Sequence, residues 1–223
     1  MKVNQAYQKV LTSNKRYNVL KGGAGSGKSY SIAQIEIIKA FQNPEVTLWI
    51  RKVASTLRNS VFSLINHVLV EEGFRKGIDY TVFKNDMSFQ FSNGSRFILT
   101  GVDDVEKLKS IAGITRIVIE EATELEDSDF NQIDLRLRGI NLINPQITLL
   151  FNPISANHWL CSRFDTNFNP DTTLFVNTNY KDNAFLDEQY KATLENLINI
   201  DENLYRVYVL NEWGIEDPDK LFA

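Results

Sequence analysis

The 223-residue sequence is poor in side chains that hold metals or form cross-links: it has one cysteine, Cys161, and two histidines, His67 and His158. A lone cysteine excludes an internal disulfide and a cysteine metal cluster, and it fits a reducing cytoplasm. No apolar run approaches the roughly 18 residues needed to cross a bilayer, and no hydrophobic signal core follows Met1. We therefore expect neither a membrane partner nor secretion.

The sequence also lacks an excess of positive charge, because 24 Lys and Arg residues face 28 Asp and Glu residues. This balance argues against a tight, sequence-reading nucleic-acid binder, which usually carries a basic footprint. A transient grip on a phosphate backbone through a few cations, such as Arg51-Lys52 with Arg58, stays open, although solvated surface is the more ordinary interpretation. The composition, 43% hydrophobic and 23% charged, is typical of a globular protein with one large domain.

The most informative segment is a complete phosphate-binding loop, G-x-x-x-x-G-K-[ST], which reads Gly22-Gly23-Ala24-Gly25-Ser26-Gly27-Lys28-Ser29. A β-favouring run precedes it and a helical pattern follows it, which is the context that supports the motif. Main-chain N–H groups of the loop and the N-terminus of the following helix would bind phosphate oxygens. Lys28 would reach the β- and γ-phosphates, and the Ser29 hydroxyl would join the Mg²⁺ shell. The sequence therefore predicts an ATP site with magnesium.

The chain alternates predicted strands with predicted helices. We expect strands near 17–21, 46–50, 117–119, 147–151 and 174–177, and helices near 28–42, 57–72, 128–138, 185–198 and 201–211. The segments 87–91 and 96–99 alternate around an Asn-Gly turn and predict a β-hairpin insertion. This order predicts an α/β fold whose mostly parallel sheet is covered by helices on both faces, with ligands at the carboxyl ends of its strands.

Two carboxylates, Glu120 and Glu121, follow the apolar strand 117–119. ATP hydrolysis needs one acidic group to orient the metal's water shell and a second to position and deprotonate the attacking water. We assign Glu120 to the magnesium and Glu121 to the water. Two solvent-facing acids after a core strand are the alternative, which the nearby phosphate loop disfavours.

A polar amide, Asn152, ends the buried strand 147–151 directly before Pro153. An asparagine beside the nucleotide could sense the γ-phosphate through its two-ended hydrogen bonding. An ordinary Asn-Pro turn is the alternative.

In this order, these pieces resemble the ATPase domain of the large terminase subunit of tailed bacteriophages and prophages. The similarity runs from about residue 16 to 214. It includes the phosphate loop together with the segments Trp49-Ile50-Arg51-Lys52, Ile119-Glu120-Glu121-Ala122-Thr123, Phe151-Asn152-Pro153, Tyr180-Lys181-Asp182-Asn183 and Asn211-Glu212-Trp213-Gly214.

The resemblance implies a RecA-like P-loop ATPase, residues 1–214, that drives double-stranded DNA into a capsid in the cytoplasm of a bacterial host. It implies partnership with a portal protein, a small terminase subunit and other copies of the chain in a ring. It also implies a C-terminal nuclease domain beyond residues 215–223, which would begin a linker, so we expect no nuclease activity here. It places Asn152 in the segment that couples hydrolysis to motion, and Tyr7 and Gln8 beside the adenine, where Tyr7 could stack on the base.

An arginine finger from a neighbouring subunit would stabilise charge on the transferring phosphoryl group. Arg51, Arg58 and Arg116 are the candidates. We favour Arg58, which lies early in a predicted helix, although it could simply pack against an acidic neighbour.

Other functions fit the residues less well than the motor. A helicase-like ATPase would normally need a second RecA-like domain, and a small-molecule kinase would need an acceptor pocket with an arginine-rich lid. A nucleotide-gated assembly module that barely turns over would not need Glu121.

Overall fold

A computed structural model describes residues 1–102, 111–138 and 145–215 of the chain. Within them, eight strands form one sheet: β1 Tyr17–Gly22, β2 Val46–Arg51, β3 Tyr80–Phe83, β4 Ser88–Phe91, β5 Arg96–Gly101, β6 Arg116–Ile119, β7 Gln146–Phe151 and β8 Thr173–Thr178. The predicted linker lies outside the described residues, apart from Ile215. The α-helices are α1 Gln8–Thr12, α2 Lys28–Gln42, α3 Ala54–Leu57, α4 Ser63–Glu71, α5 Asp127–Asp134, α6 Glu188–Glu195 and α7 Glu202–Tyr205.

The strand order is β3-β4-β5-β2-β6-β7-β1-β8. Strands from β5 to β8 in this order pair in parallel, whereas β3 and β4 pair antiparallel at one edge. The predicted hairpin is confirmed as β4 and β5, with Phe89 opposite Phe97. It extends the main sheet, since β5 also pairs with β2, and β3 is a further edge strand that the sequence did not predict.

Four predicted helices are shorter or less regular than expected, including the one at 128–138, where α5 ends at Asp134. The segment predicted as one helix at 57–72 is built from α3, a π-helical turn Arg58–Phe62 and α4. A π-helical turn Arg206–Leu210 likewise continues α7, and a 3₁₀ turn Asn196–Asn199 continues α6. Single π turns are typical of sites where a helix must adjust its register locally.

Alternation along the strands divides the main apolar core of the described residues into two clusters, one on each face of the sheet. In β1, Leu20 belongs to the cluster under α2 and α4, whereas Val19 belongs to the cluster with Phe130 of α5. Successive side chains of a strand point to opposite faces. The predicted fold class, a mostly parallel sheet with helices on both faces, is therefore confirmed. Among the described residues, no helix is both long and apolar enough to cross a bilayer.

A buried ion pair joins α2 to the start of β6. Arg116 donates to both carboxylate oxygens of Glu36 at 2.6 and 2.7 Å, and to Oε1 of Gln146 at 2.6 Å. Both charged side chains are almost fully buried. Arg116 therefore cannot reach a neighbouring subunit, and its candidacy as an arginine finger was wrong.

Removing the guanidinium should destabilise the fold, because it leaves Glu36 charged, buried and unpaired. We expect Arg116→Ala to lower the free energy of unfolding by about 3–5 kcal/mol in urea titrations. Arg75, which pairs with Asp79 on the surface, is the matched control, and Arg75→Ala should leave the midpoint unchanged. Equal effects of the two variants would contradict this assignment.

Candidate functional site

The phosphate loop lies between the end of β1 and the start of α2, as the sequence predicts. Gly27 precedes the helix with a φ of 81°, a left-handed conformation that favours glycine. Gly23 is constrained by space, because a Cβ there would lie 2.3 Å from the carbonyl oxygen of Tyr208. The first N–H groups of α2 have no partner inside the helix and point into the loop. This arrangement suits the binding of an anion.

Three contacts from distant parts of the chain hold the loop. The Tyr7 hydroxyl donates to the carbonyl oxygen of Ser26 at 3.0 Å, and Asn183 Nδ2 donates to that of Gly25 at 2.8 Å. The N–H of Ala24 donates to the carbonyl oxygen of Tyr208 at 3.1 Å. The loop is therefore fixed by the N-terminal segment and by the segments after β8.

The structure corrects the predicted role of Tyr7 as a residue that stacks on the adenine. Tyr7 is fully buried, so its ring offers no exposed face to a base, and its hydroxyl supports the phosphate loop instead. Gln8 is exposed at the start of α1. Sequence reasoning placed both residues from a loose local match, whereas the burial of Tyr7 depends on packing against Val10 and α2.

A cavity lies beside the loop, on the side of α2. It has a volume of about 570 Å³, and its lining includes Gly27, Tyr30 and Gln34 from the loop and helix, with Asn183 and Phe185 from the segment after β8. The Tyr30 hydroxyl donates to Glu71 at 2.9 Å, and Gln34 donates to Glu72 at 2.8 Å. Its position beside the phosphate loop and its volume are compatible with the base and sugar of a nucleotide.

Lys28 and Asn152 meet at the loop. Lys28 Nζ donates to Asn152 Oδ1 at 2.6 Å and to the carbonyl oxygen of Gly22 at 3.1 Å. Burial lowers the pKa of Lys28, and the charges of Glu121 and Glu120 oppose that shift. The amide at the end of β7 thus touches the lysine expected to bind phosphate, which an ordinary Asn-Pro turn would not require.

Glu120 lies next to Ser29. Ser29 Oγ donates to Glu120 Oε2 at 3.3 Å, while Glu120 Oε1 is buried and has no hydrogen-bond partner. Burial, reinforced by the charge of Glu121, raises the pKa of Glu120 to about 7. A hydroxyl and a carboxylate with a free oxygen fit Mg²⁺, which is usually bound by one or two carboxylates together with substrate phosphates. The described residues contain no cluster of three or more acidic, histidine or cysteine side chains that could hold a metal alone.

Glu121 has a left-handed backbone, with φ 49° and ψ 54°. Such a conformation costs a residue other than glycine about 1–3 kcal/mol and persists where the surroundings impose it. It turns the chain sharply after β6, so that Glu120 and Glu121 line one cavity with Ser29 and Arg51. The two acids therefore line the same cavity as Ser29, with Glu120 buried and Glu121 half-buried, which argues against the alternative of two solvent-facing carboxylates.

The remaining candidate arginine, Arg58, lies on the surface at the start of the π-helical turn. Its guanidinium donates to the carbonyl oxygen of Lys84 at 3.1 Å, and among the described residues it forms no ion pair with an acidic side chain.

The closing segment 211–214 packs against the ends of β1 and β7. The Trp213 ring stacks on Phe151 with centroids 5.7 Å apart, and its Nε1 donates to Asp165 at 2.5 Å. Lys21 Nζ donates to the same oxygen of Asp165 at 2.7 Å. Sequence reasoning noted the Asn-Glu-Trp-Gly segment but did not place it at the site.

A parallel sheet with this loop, and with carboxylates at the end of a neighbouring strand, defines a P-loop nucleotide-binding domain. The family model of the phage terminase large subunit matches residues 14–212. The chain belongs to the phage terminase large subunit family.

Individual relatives agree with this family. The PBSX phage terminase large subunit of Bacillus subtilis (strain 168) is 30% identical over 92% of this chain and 51% of its own length. The large terminase subunit of Bacillus phage SPP1 is 28% identical over 87% of this chain and 48% of its own length. The chain thus spans about half the length of the curated relatives it matches.

The fold is similar to that of the large terminase from a thermophilic bacteriophage, solved in complex with ADP. The two superpose with a TM-score of 0.79 at 20% identity, covering 95% of this chain and 54% of that one.

The raised pKa of Glu120 predicts a stability cost at neutral pH. The native state keeps this proton up to about pH 7, whereas the unfolded chain loses it near pH 4.5. Between these values the unfolded state gains the free energy of ionisation and the native state does not, so the free energy of unfolding falls as the pH rises. Glu120→Gln should therefore raise the free energy of unfolding of the nucleotide-free protein by roughly 1–3 kcal/mol at pH 8 and by much less at pH 5. Urea titrations at both pH values measure this. A gain of equal size at both would contradict a pKa near 7.

Proposed function

We propose that the chain is the ATP-hydrolysing motor domain of a terminase that packages double-stranded DNA into a capsid. One observation carries the proposal: Lys28, Ser29, Glu120, Glu121 and Asn152 converge at one edge of the sheet. Lys28 contacts Asn152 at 2.6 Å, Ser29 contacts Glu120 at 3.3 Å, and Glu121 lines one cavity with Ser29 and Glu120. A protein that only bound nucleotide would not need the second carboxylate.

Each residue has a distinct task in hydrolysis. The loop amides and Lys28 bind the β- and γ-phosphates and compensate their charge. Ser29 and Glu120 would hold Mg²⁺, which supplies further neutralisation of phosphate charge when bound. Glu121 orients the attacking water and accepts its proton. Asn152, which contacts Lys28, is placed to respond when that lysine turns to a γ-phosphate.

The partners follow from the family and stay proposals for this chain. They are double-stranded DNA, a portal protein, a small terminase subunit and further copies of the chain in a ring, in the cytoplasm of the bacterial host. Arg58 is the proposed finger in trans, since it is exposed and Arg116 is buried. A nucleotide-gated assembly module remains the second candidate, and turnover decides between the two.

Two substitutions separate binding from chemistry. Lys28→Ala removes the phosphate-binding cation and should abolish nucleotide binding, whereas Glu121→Gln should retain binding and lower turnover at least ~100-fold, because the base is lost. Phosphate release, with and without double-stranded DNA, and titration with a fluorescent ADP analogue measure these quantities. Normal hydrolysis by Glu121→Gln would refute the catalytic assignment. Turnover by the wild type that is negligible and does not rise with double-stranded DNA would favour the assembly module.

We further propose that the base occupies the cavity of about 570 Å³ between Tyr30 and Phe185. Stacking of a base on an aromatic ring contributes about 1–3 kcal/mol, so Phe185→Ala should weaken binding of the ADP analogue about tenfold. Gln8→Ala is the control for the position that the sequence suggested, and it should change affinity less than about twofold. A larger loss of affinity in Gln8→Ala than in Phe185→Ala would instead place the base beside Gln8.

A further inference from the structure

Arg51, at the end of β2, grips an acidic residue just beyond the catalytic pair. Its Nη2 donates to Glu124 Oε1 at 2.7 Å, and its Nε lies 3.1 Å from Oε2. This two-pronged pairing fixes the direction of the carboxylate as well as its distance. Arg51 is therefore not free surface charge, which corrects the solvated interpretation of this basic stretch.

Glu124 ends the short turn that sets the position of Glu121. The turn spans Ala122–Glu124, and the N–H of Glu124 donates to the carbonyl oxygen of Glu121 at 2.8 Å. Glu121 itself is in the left-handed conformation that its surroundings must impose. Since β2 and β6 are paired up to Ile50 and Ile119, Arg51 connects the rigid sheet directly to this turn.

The next residue, Lys52, forms a second ion pair, but its acidic partner lies further along the chain. Lys52 Nζ donates to Asp129 Oδ2 at 2.6 Å, and Asp129 lies in α5, where it also accepts from the N–H of Glu126. Lys52–Asp129 thus fastens the helix, not the turn that contains Glu121. The two pairs are adjacent in sequence and similar in exposure, with Arg51 22% and Lys52 39% exposed. Lys52 therefore offers a matched control.

We propose that Arg51 is a positioning residue for hydrolysis, which holds Glu121 toward the nucleotide through its grip on Glu124. The inference rests on the proposed role of Glu121 as the water-activating carboxylate. Arg51 touches no reacting atom in this role: it keeps the turn after β6 from relaxing, and with it the left-handed backbone of Glu121.

The kinetic test compares Arg51→Ala, Glu124→Ala, their double variant and Lys52→Ala in single-turnover hydrolysis of ATP with protein in excess. Arg51→Ala and Glu124→Ala should each slow hydrolysis about 10- to 100-fold, because a small misplacement of a catalytic group is costly. Affinity for the ADP analogue should change less than about twofold. The double variant should be no slower than either single one, since both remove the same contact. Lys52→Ala should stay within about threefold of the wild type.

Arg51→Lys keeps the charge but not the two-pronged geometry, so its rate should fall between those of the wild type and Arg51→Ala. A Glu124→Ala variant as fast as the wild type, beside a slow Arg51→Ala, would overturn the proposal, because Arg51 would then act without Glu124.

Hydrogen–deuterium exchange over residues 119–126 tests the positioning without relying on turnover. Arg51→Ala should speed exchange in this segment, and Lys52→Ala should not. Unchanged exchange in Arg51→Ala would refute the proposal even if hydrolysis slowed. If Glu121→Gln hydrolyses ATP normally while exchange responds as expected, the assignment of Glu121 as the water-activating base fails, and the contact of Arg51 with the turn stands.

Discussion

The site depends on one feature of the sheet: β7 lies between the strand that carries the phosphate loop and the strand that carries the acidic pair. Neighbouring strands are about 4.8 Å apart, so β1 and β6 are separated by roughly 10 Å. A triphosphate is long enough to extend across that distance. Asn152, at the end of the strand between them, reaches Lys28 across half the gap. The strand order therefore decides which side chains can act on one substrate.

This arrangement opposes the stability of the fold. Glu120 is buried beside Glu121, which raises its pKa to about 7, and burial lowers the pKa of Lys28. Two carboxylates, Glu120 and Glu121, lie near one lysine, Lys28, so negative charge exceeds positive charge among these three residues. The two apolar clusters and the buried pair of Arg116 with Glu36 hold the sheet against this cost. The left-handed backbone of Glu121 and the unfavourable burial of Glu120 therefore lie at the proposed nucleotide site.

The sequence predicted the features that depend on continuous segments, and it missed those that depend on contacts between distant residues or on weak patterns. The phosphate loop, β6 with its two acids and the strand before Asn152 are continuous segments with strong patterns, and all three lie where they were expected. Tyr7 was misplaced because its role depends on contacts with Ser26 and Thr178, 19 and 171 residues away. The π-helical turn at Arg58–Phe62 also left no signal, since apolar spacing alone describes a regular helix. The edge strand β3 is short and partly exposed, so its alternation is weak.

The three candidate arginines show why residue type alone does not give a role. In the sequence, Arg51, Arg58 and Arg116 each follow or begin an apolar element, and only the position of Arg58 early in a predicted helix favours one of them. The fold separates them by the partner each one finds: a buried carboxylate for Arg116, the turn beyond the acidic pair for Arg51, and a surface carbonyl for Arg58. Burial limits Arg116 to a structural role, and the two-pronged contact commits Arg51 to Glu124 of its own chain. Of the three, only Arg58 has an exposed side chain that can leave its contact at little cost. An arginine finger that acts on a neighbouring subunit needs such a side chain.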